Sequence, residues 1–167
     1  MLCGLGFDAV VAQEFALQPT RGLATYFKQS VQHFFTATPY PFIITANNTT
    51  INTEAFFISI ANSNQFGNNV TIAPKASICD GLLDIVIVNK MSKLKMVYSL
   101  LKQVRLGKVK PASEKKYHQN DIHYFQTTKL TIQNPSSAPF HIDGDPAATS
   151  KYFEIEIIKK AFRLLQP

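Results

Sequence analysis

The sequence predicts a mainly β fold, with antiparallel strands in a sandwich or barrel-like arrangement and about two α-helices packed at the side. Three observations carry this. Short runs rich in Phe, Ile, Val and Thr recur along the chain and are separated by Asn, Gly, Pro and Ser. Such runs bounded by turn formers read as strands of a β-rich domain. Only residues 23–35 and 92–107 carry helical periodicity. Hydrophobic content of 46% with 17% charged residues marks a globular chain, and 167 residues suit one domain spanning 1–167 with a sizeable core.

The first eleven residues, MLCGLGFDAVV, are apolar and punctuated by Gly4 and Gly6, and read as a core strand or turn entering a domain. Residues 19–22 offer a helix entry. Leu23, Tyr26, Phe27, Val31 and Phe34 then align on one helical face, opposite Lys28, Gln29 and Gln32, until Pro39 and Pro41 end the segment. An aromatic face of this kind packs on a core more readily than on lipid. From Phe42 the pattern becomes β, with strands at 42–46 and 53–62 around an Asn47-Asn48-Thr49-Thr50 turn. Phe66-Gly67-Asn68-Asn69 is a second turn, followed by a short strand at 70–73 that Pro74 stops, a polar loop at 75–81, and an apolar strand at 82–88.

Residues 92–107 form the clearest helix, with Ser92 as its cap, Leu94, Val97, Leu100, Leu101 and Val104 on one face and Gly107 at its end. Lys93, Lys95, Lys102 and Arg105 give it a basic side, which suits a surface helix and is compatible with contact to an anionic membrane. A polar linker at 111–119 precedes strands at 122–126, 129–133, 152–158 and 161–165, and residues 139–142 lead into the acidic run 143–146. Residues 134–137 and 143–146 are turns.

The net charge of +6 and pI near 9.3 suit an acidic partner or simply a solvated basic surface. Nucleic-acid binding would call for basic residues interleaved with exposed aromatics, a pattern not evident here. The two cysteines, Cys3 and Cys79, make no disulfide framework and no metal motif, and their apolar contexts read as small buried hydrophobes in a reducing, cytoplasmic setting. No apolar run approaches the roughly 20 residues of a membrane span. His33, His118, His123 and His141 neither pair at metal spacing nor adjoin a nucleophile, and read as structural or surface residues.

Two acidic loops can carry chemistry. Ser77-Ile78-Cys79-Asp80-Gly81-Leu82 offers a hydroxyl, a carboxylate and the Leu82 carbonyl from one turn, oxygen donors of the kind a hard cation takes. Spacing alone reads equally as an ordinary Asp-Gly turn. Asp84 either backs this loop or bonds backbone amides at the strand start. Asp143-Gly144-Asp145 is the second loop, and by itself an acidic β-turn before Pro146.

In three places the chain resembles a known family. Gly4-Leu5-Gly6-Phe7-Asp8-Ala9, the 67–88 run GNNVTIAPKASICDGLLDIVIV, and Asp143-Gly144-Asp145 are similar to motifs of the C-terminal domain of diacylglycerol kinase and sphingosine kinase-like lipid kinases, the bacterial YegS/DgkB type. The likeness runs from Gly4 to about Phe162, and it implies that the chain starts where that domain starts. The resemblance implies a structural Mg2+ at Ser77, Asp80 and Leu82. It also implies Asp145 as the general base that takes the proton of a lipid hydroxyl while ATP is attacked, with Asp143 positioning backbone or bridging to magnesium. Asp145 is one methylene shorter than the Glu usual in the family's D-G-E motif. The implied partners are a lipid substrate, a membrane surface touched peripherally on its inner face, and an N-terminal ATP-binding domain, with a homodimer compatible. The family's G-G-D-G-T phosphate loop is not present in these residues, so this chain alone is not expected to act as a kinase. The contrasting expectation is a non-catalytic sandwich module that binds lipid or a protein.

Overall fold

A computed structural model describes residues 2–16, 37–63, 73, 75–92 and 122–161. Both helices anticipated at 23–35 and 92–107, and the short strands at 70–73 and 161–165, lie outside the described residues or largely so. Nine strands, β1 (Leu2–Gly6), β2 (Tyr40–Ala46), β3 (Thr49–Ala61), β4 (Leu83–Asn89), β5 (Ile122–Thr127), β6 (Lys129–Gln133), β7 (Phe140–Ile142), β8 (Asp145–Ala147) and β9 (Tyr152–Glu156), form one antiparallel sheet with a single described helix, α1 (Phe7–Ala16). The expected mainly β, antiparallel class is what the chain adopts.

The sheet is branched. Its strand order is β8-β7-β1-β3-β2-β6-β9, with β4 pairing β3 and β5 beyond this path. The branch follows from the length of β3. Thr49 to Ala55 pair with β2, while Phe57 to Ala61 pair with β1 on one side and β4 on the other. A register shift between Ala55 and Phe57 marks the crossing. Such a bulge adds twist, and the long strand passes from a four-stranded part into a six-stranded part, curling the whole into a half-barrel.

The larger core fills the inside of the curl with Leu5, Phe42, Ile44, Ile58, Ile60, Ile85, Ile87, Leu130 and Ile132. A smaller core on the other face gathers Leu2, Phe56, Ala61, Ala73, Ala76, Val86 and Val88. Strand β4 serves both faces, and all seven of its residues are buried. That explains the apolar run Ile85–Val88 within it, since a strand covered on both sides shows no alternation.

The Asn-rich turn is tighter than the sequence suggested. Asn47 and Asn48, at φ 49° and 60°, make a two-residue hairpin, and Thr49 and Thr50 already belong to β3. Positive φ at both positions is the type I′ pattern that matches strand twist. The larger departure is at the start of the chain. Residues 7–11 were expected as strand or turn, yet the strand ends at Gly6 and a helix begins at Phe7. Gly6 sits at φ +98°, and a β-carbon there would lie 2.4 Å from the Phe56 carbonyl oxygen, so the chain can turn sharply from strand into helix only at glycine. Val10 and Val11 lent the segment a β look that the turn overrides.

Candidate functional site

The D-G-D motif lies on a hairpin at the edge of the sheet. Asp143 and Gly144 have φ 51° and 88°, again the two-residue I′ form, with Ile142 paired to Asp145. Asp145 therefore opens the edge strand β8 and is exposed to solvent. Pro146 follows, and an edge strand tolerates its missing amide. Residues directly paired across strands share a face. Asp145, Ile142 and Cys3 thus lie on one side of the sheet, while His141 and Pro146 lie on the other.

Two sets of bonds fasten this hairpin. The Leu2 amide donates to Asp143 Oδ1 at 2.7 Å, and the Asp143 amide donates to the Leu2 carbonyl at 2.7 Å. Asp143 is thereby a backbone-positioning residue. Beneath the turn, His141 Nε2 lies 3.2 Å from Asp8 Oδ2, with both side chains buried. The Gly144 amide donates to His141 Nδ1 at 3.2 Å, and the Ala9 amide donates to Asp8 Oδ1 at 2.9 Å. Burial pushes the Asp8 carboxyl above its usual range, and the hydrogen bond and charge of His141 oppose that rise in part. Gly4 makes room for the pair, because a β-carbon there would fall 2.2 Å from Asp8 Oδ2. The sequence places Asp8 in the Gly4–Ala9 motif and offers His141 only as a structural or surface residue. The signal that unites them is long-range, across 133 positions.

The first acidic loop is local in its bonding. Ser77 Oγ accepts the Cys79 amide at 3.3 Å, and Asp80 Oδ1 accepts the Leu82 amide at 2.9 Å. Gly81 has φ +70°, and the aliphatic stem of Lys159 packs across it, with Cε 2.8 Å from where a β-carbon would stand. Ser77 is half-buried and Asp80 exposed. A hydroxyl, one exposed carboxylate and a carbonyl make an oxygen donor set that fits a hard cation with water completing its shell. Among the described residues no group of three His, Cys, Asp or Glu is gathered for a metal.

Asp84 is directed elsewhere. It is fully buried, and Tyr124 Oη donates to its Oδ1 while Gln126 Nε2 lies 3.2 Å from both of its oxygens. It bonds side chains of the neighbouring strand rather than backbone amides at the strand start. Burial, then the bond and charge of Asp84, push the Tyr124 phenol well above its ordinary value. Asp84 anchors β4 to β5.

The two acidic loops stand at the same end of the sheet, since Leu2, Ala61 and Asp84 follow one another in register. Four strand steps separate β8 from β4. At about 4.8 Å per step this is roughly 19 Å measured along the curled sheet, so Asp145 and the Ser77–Leu82 loop are carried by strands that are not neighbours. Cys3 is half-buried, its thiol pushed up to about 12 by burial and by Asp8 and Asp143. Cys79 is exposed, contrary to the buried position expected from its apolar neighbours.

Residues 2–166 match the family described as the YegS C-terminal NAD kinase beta sandwich-like domain. The chain belongs to this family. It is 32% identical over 130 residues to a Shewanella frigidimarina protein named "Probable lipid kinase YegS-like", covering 77% of this chain and 38% of that protein. A diacylglycerol kinase structure from Bacillus anthracis superposes with TM-score 0.58 at 16% identity, covering 95% of this chain and 46% of the other. A second B. anthracis structure reaches TM-score 0.62, also at 16% identity, with 95% and 48% covered. These structures share the fold, and the chain spans about half their length or less.

Proposed function

We propose that this domain supplies the acceptor side of an ATP-dependent lipid kinase, transferring phosphate to the hydroxyl of a diacylglycerol-like lipid. The observation that carries the reading is Asp145, an exposed carboxylate held at a fixed I′ turn within the D-G-D motif. In this role Asp145 accepts the proton of the lipid hydroxyl as that oxygen bonds to the γ-phosphorus of ATP. The bond to ADP breaks, and ADP leaves with the electron pair. Such transfer needs in-line placement and charge neutralisation more than covalent participation. ATP is held by an N-terminal ATP-binding domain of the family's kind, and this chain alone does not turn over.

Ser77, Asp80 and the Leu82 carbonyl are the groups that would hold Mg2+, which would order the loop entering β4. Because that loop enters β4 and Asp145 opens β8, on strands that are not neighbours, such an ion would act as a structural support. The half-exposed Ile142, 44% accessible and paired to Asp145, gives the acceptor chain an apolar neighbour beside the base. The lipid is presented from a membrane surface, which the basic charge of the chain favours. Among the described residues no helix is long and apolar enough to cross a membrane.

The test is ATP-dependent phosphorylation of diacylglycerol by the full-length protein, with Asp145→Asn alongside. Phosphatidic acid formed by the wild type and lost in the variant supports the assignment. Undiminished activity in the variant refutes it. Binding of diacylglycerol vesicles without any transfer favours a non-catalytic lipid-binding module.

A further inference from the structure

The hairpin that carries Asp145 has only three residues in each strand. So short a hairpin at a sheet edge has little stability of its own. Its geometry is imposed from below. The Gly144 amide donates to His141 Nδ1, which commits that nitrogen as an acceptor. The ring proton therefore resides on Nε2, where it points to Asp8 Oδ2. The second oxygen of Asp8 accepts the Ala9 amide at the start of α1. A continuous line of bonds thus runs from the helix start through Asp8 and His141 to the turn. Both ring nitrogens are used and the ring is buried, so His141 has no free atom to offer a substrate. It also lies on the face opposite Asp145, which leaves the side of Asp145 and Ile142 open.

We propose that His141, oriented by Asp8, is a positioning residue that sets the direction of Asp145 by holding the Gly144 amide. The inference rests on the kinase reading for its consequence but not for its geometry. Two substitutions separate this role from mere stability. Asn at 141 can place a carbonyl oxygen near the position of Nδ1 and keep the bond to Gly144. Gln reaches toward Asp8 instead and leaves Gly144 without its acceptor. Both lose buried ring contacts and should lower the melting temperature.

The experiment compares His141→Asn and His141→Gln in the full-length protein by steady-state kinetics and by hydrogen exchange of the Gly144 amide. A misplacement of about 1 Å can cost up to a hundredfold in rate, so kcat in His141→Gln should fall on the order of tenfold to a hundredfold. KM for ATP should stay unchanged. His141→Asn should recover most of kcat, with slow Gly144 exchange in Asn and fast exchange in Gln. Equal kcat and equal exchange in the two variants would overturn the proposal. If the wild type transfers no phosphate to lipid, the kinase reading fails by itself and exchange alone decides. Slow exchange in Asn with fast exchange in Gln then supports the clamp, and equal exchange removes it.

Discussion

Gly4→Ala is the most telling single perturbation of this fold. A β-carbon at position 4 would stand 2.2 Å from Asp8 Oδ2, 2.7 Å from His141 Nε2 and 3.0 Å from Asp8 Cγ. Real β-carbons do not approach so closely, and all three atoms belong to buried side chains. The methyl must displace the carboxylate, the imidazole or both. Losing a hydrogen bond that involves a charged group costs about 1.5–3 kcal/mol. Forcing a methyl into a packed site adds about 1–3 kcal/mol. Restricting the unfolded chain returns about 0.4–1 kcal/mol. The net loss is about 2–5 kcal/mol. For a chain of this length, at about 2–4 °C per kcal/mol, the melting temperature should fall by roughly 5–20 °C. A double-mutant cycle with Asp8→Ala makes the argument specific. Once the carboxylate is gone the shortest contact disappears and the imidazole can shift into the vacated space, so Gly4→Ala should cost much less in that background. Urea unfolding of the four proteins measures this. A Gly4→Ala cost below about 1 kcal/mol, or strictly additive losses, would refute the reasoning.

Three further outcomes follow from the same geometry. Burial raises the Asp8 carboxyl in the folded state, so that state keeps its proton to higher pH than the unfolded chain. Its contribution is fully present below the unfolded value near 3.9 and is lost as pH rises through the folded value. Asp8→Asn should flatten that decline in urea midpoints taken from about pH 3.5 upward. Tyr124→Phe removes a donor from the fully buried Asp84 and should cost about 1.5–3 kcal/mol in the same assay. Because the Tyr124 phenol is raised in the folded state, wild-type stability should also fall with pH above about 10, and the Phe variant should lack that component. Addition of MgCl2 should raise the melting temperature of the wild type and leave Asp80→Ala unmoved, and an equal rise in both would place the ion elsewhere.

The parts legible in the sequence are those governed by local rules. The alternation in 152–156, the apolar run at 85–88 in β4 and the Asn-Asn and Asp-Gly turns all correspond to observed strands and hairpins. What local rules cannot reach is pairing across the chain. The helix at Phe7 depends on Gly6 meeting the Phe56 carbonyl, a contact 50 positions away in sequence. Asn134 reads as a turn former. In the structure it is buried, bonding both the amide and carbonyl of Ala138 as well as Thr149 and the Ser150 carbonyl. It thereby joins the approach to β7 with the segment after β8. Asp84 lay beside the candidate cation loop in sequence, but its partners Tyr124 and Gln126 are on β5, some 40 residues later. The D-G-D run and the Gly4–Ala9 run containing Asp8 were each recognisable, whereas the pairing of Asp8 with His141 has no sequence signature.

In the proposed reaction Asp145 serves as the base for phosphate transfer to a lipid hydroxyl. Single-turnover transfer of the γ-phosphate of ATP to diacylglycerol by the full-length protein tests it most directly, with wild type, Asp145→Asn and Asp145→Glu compared. General-base catalysis contributes about 100-fold to 10,000-fold, so the Asn variant should lose at least about 100-fold while Glu keeps measurable transfer. Equal transfer by wild type and Asp145→Asn would contradict the account.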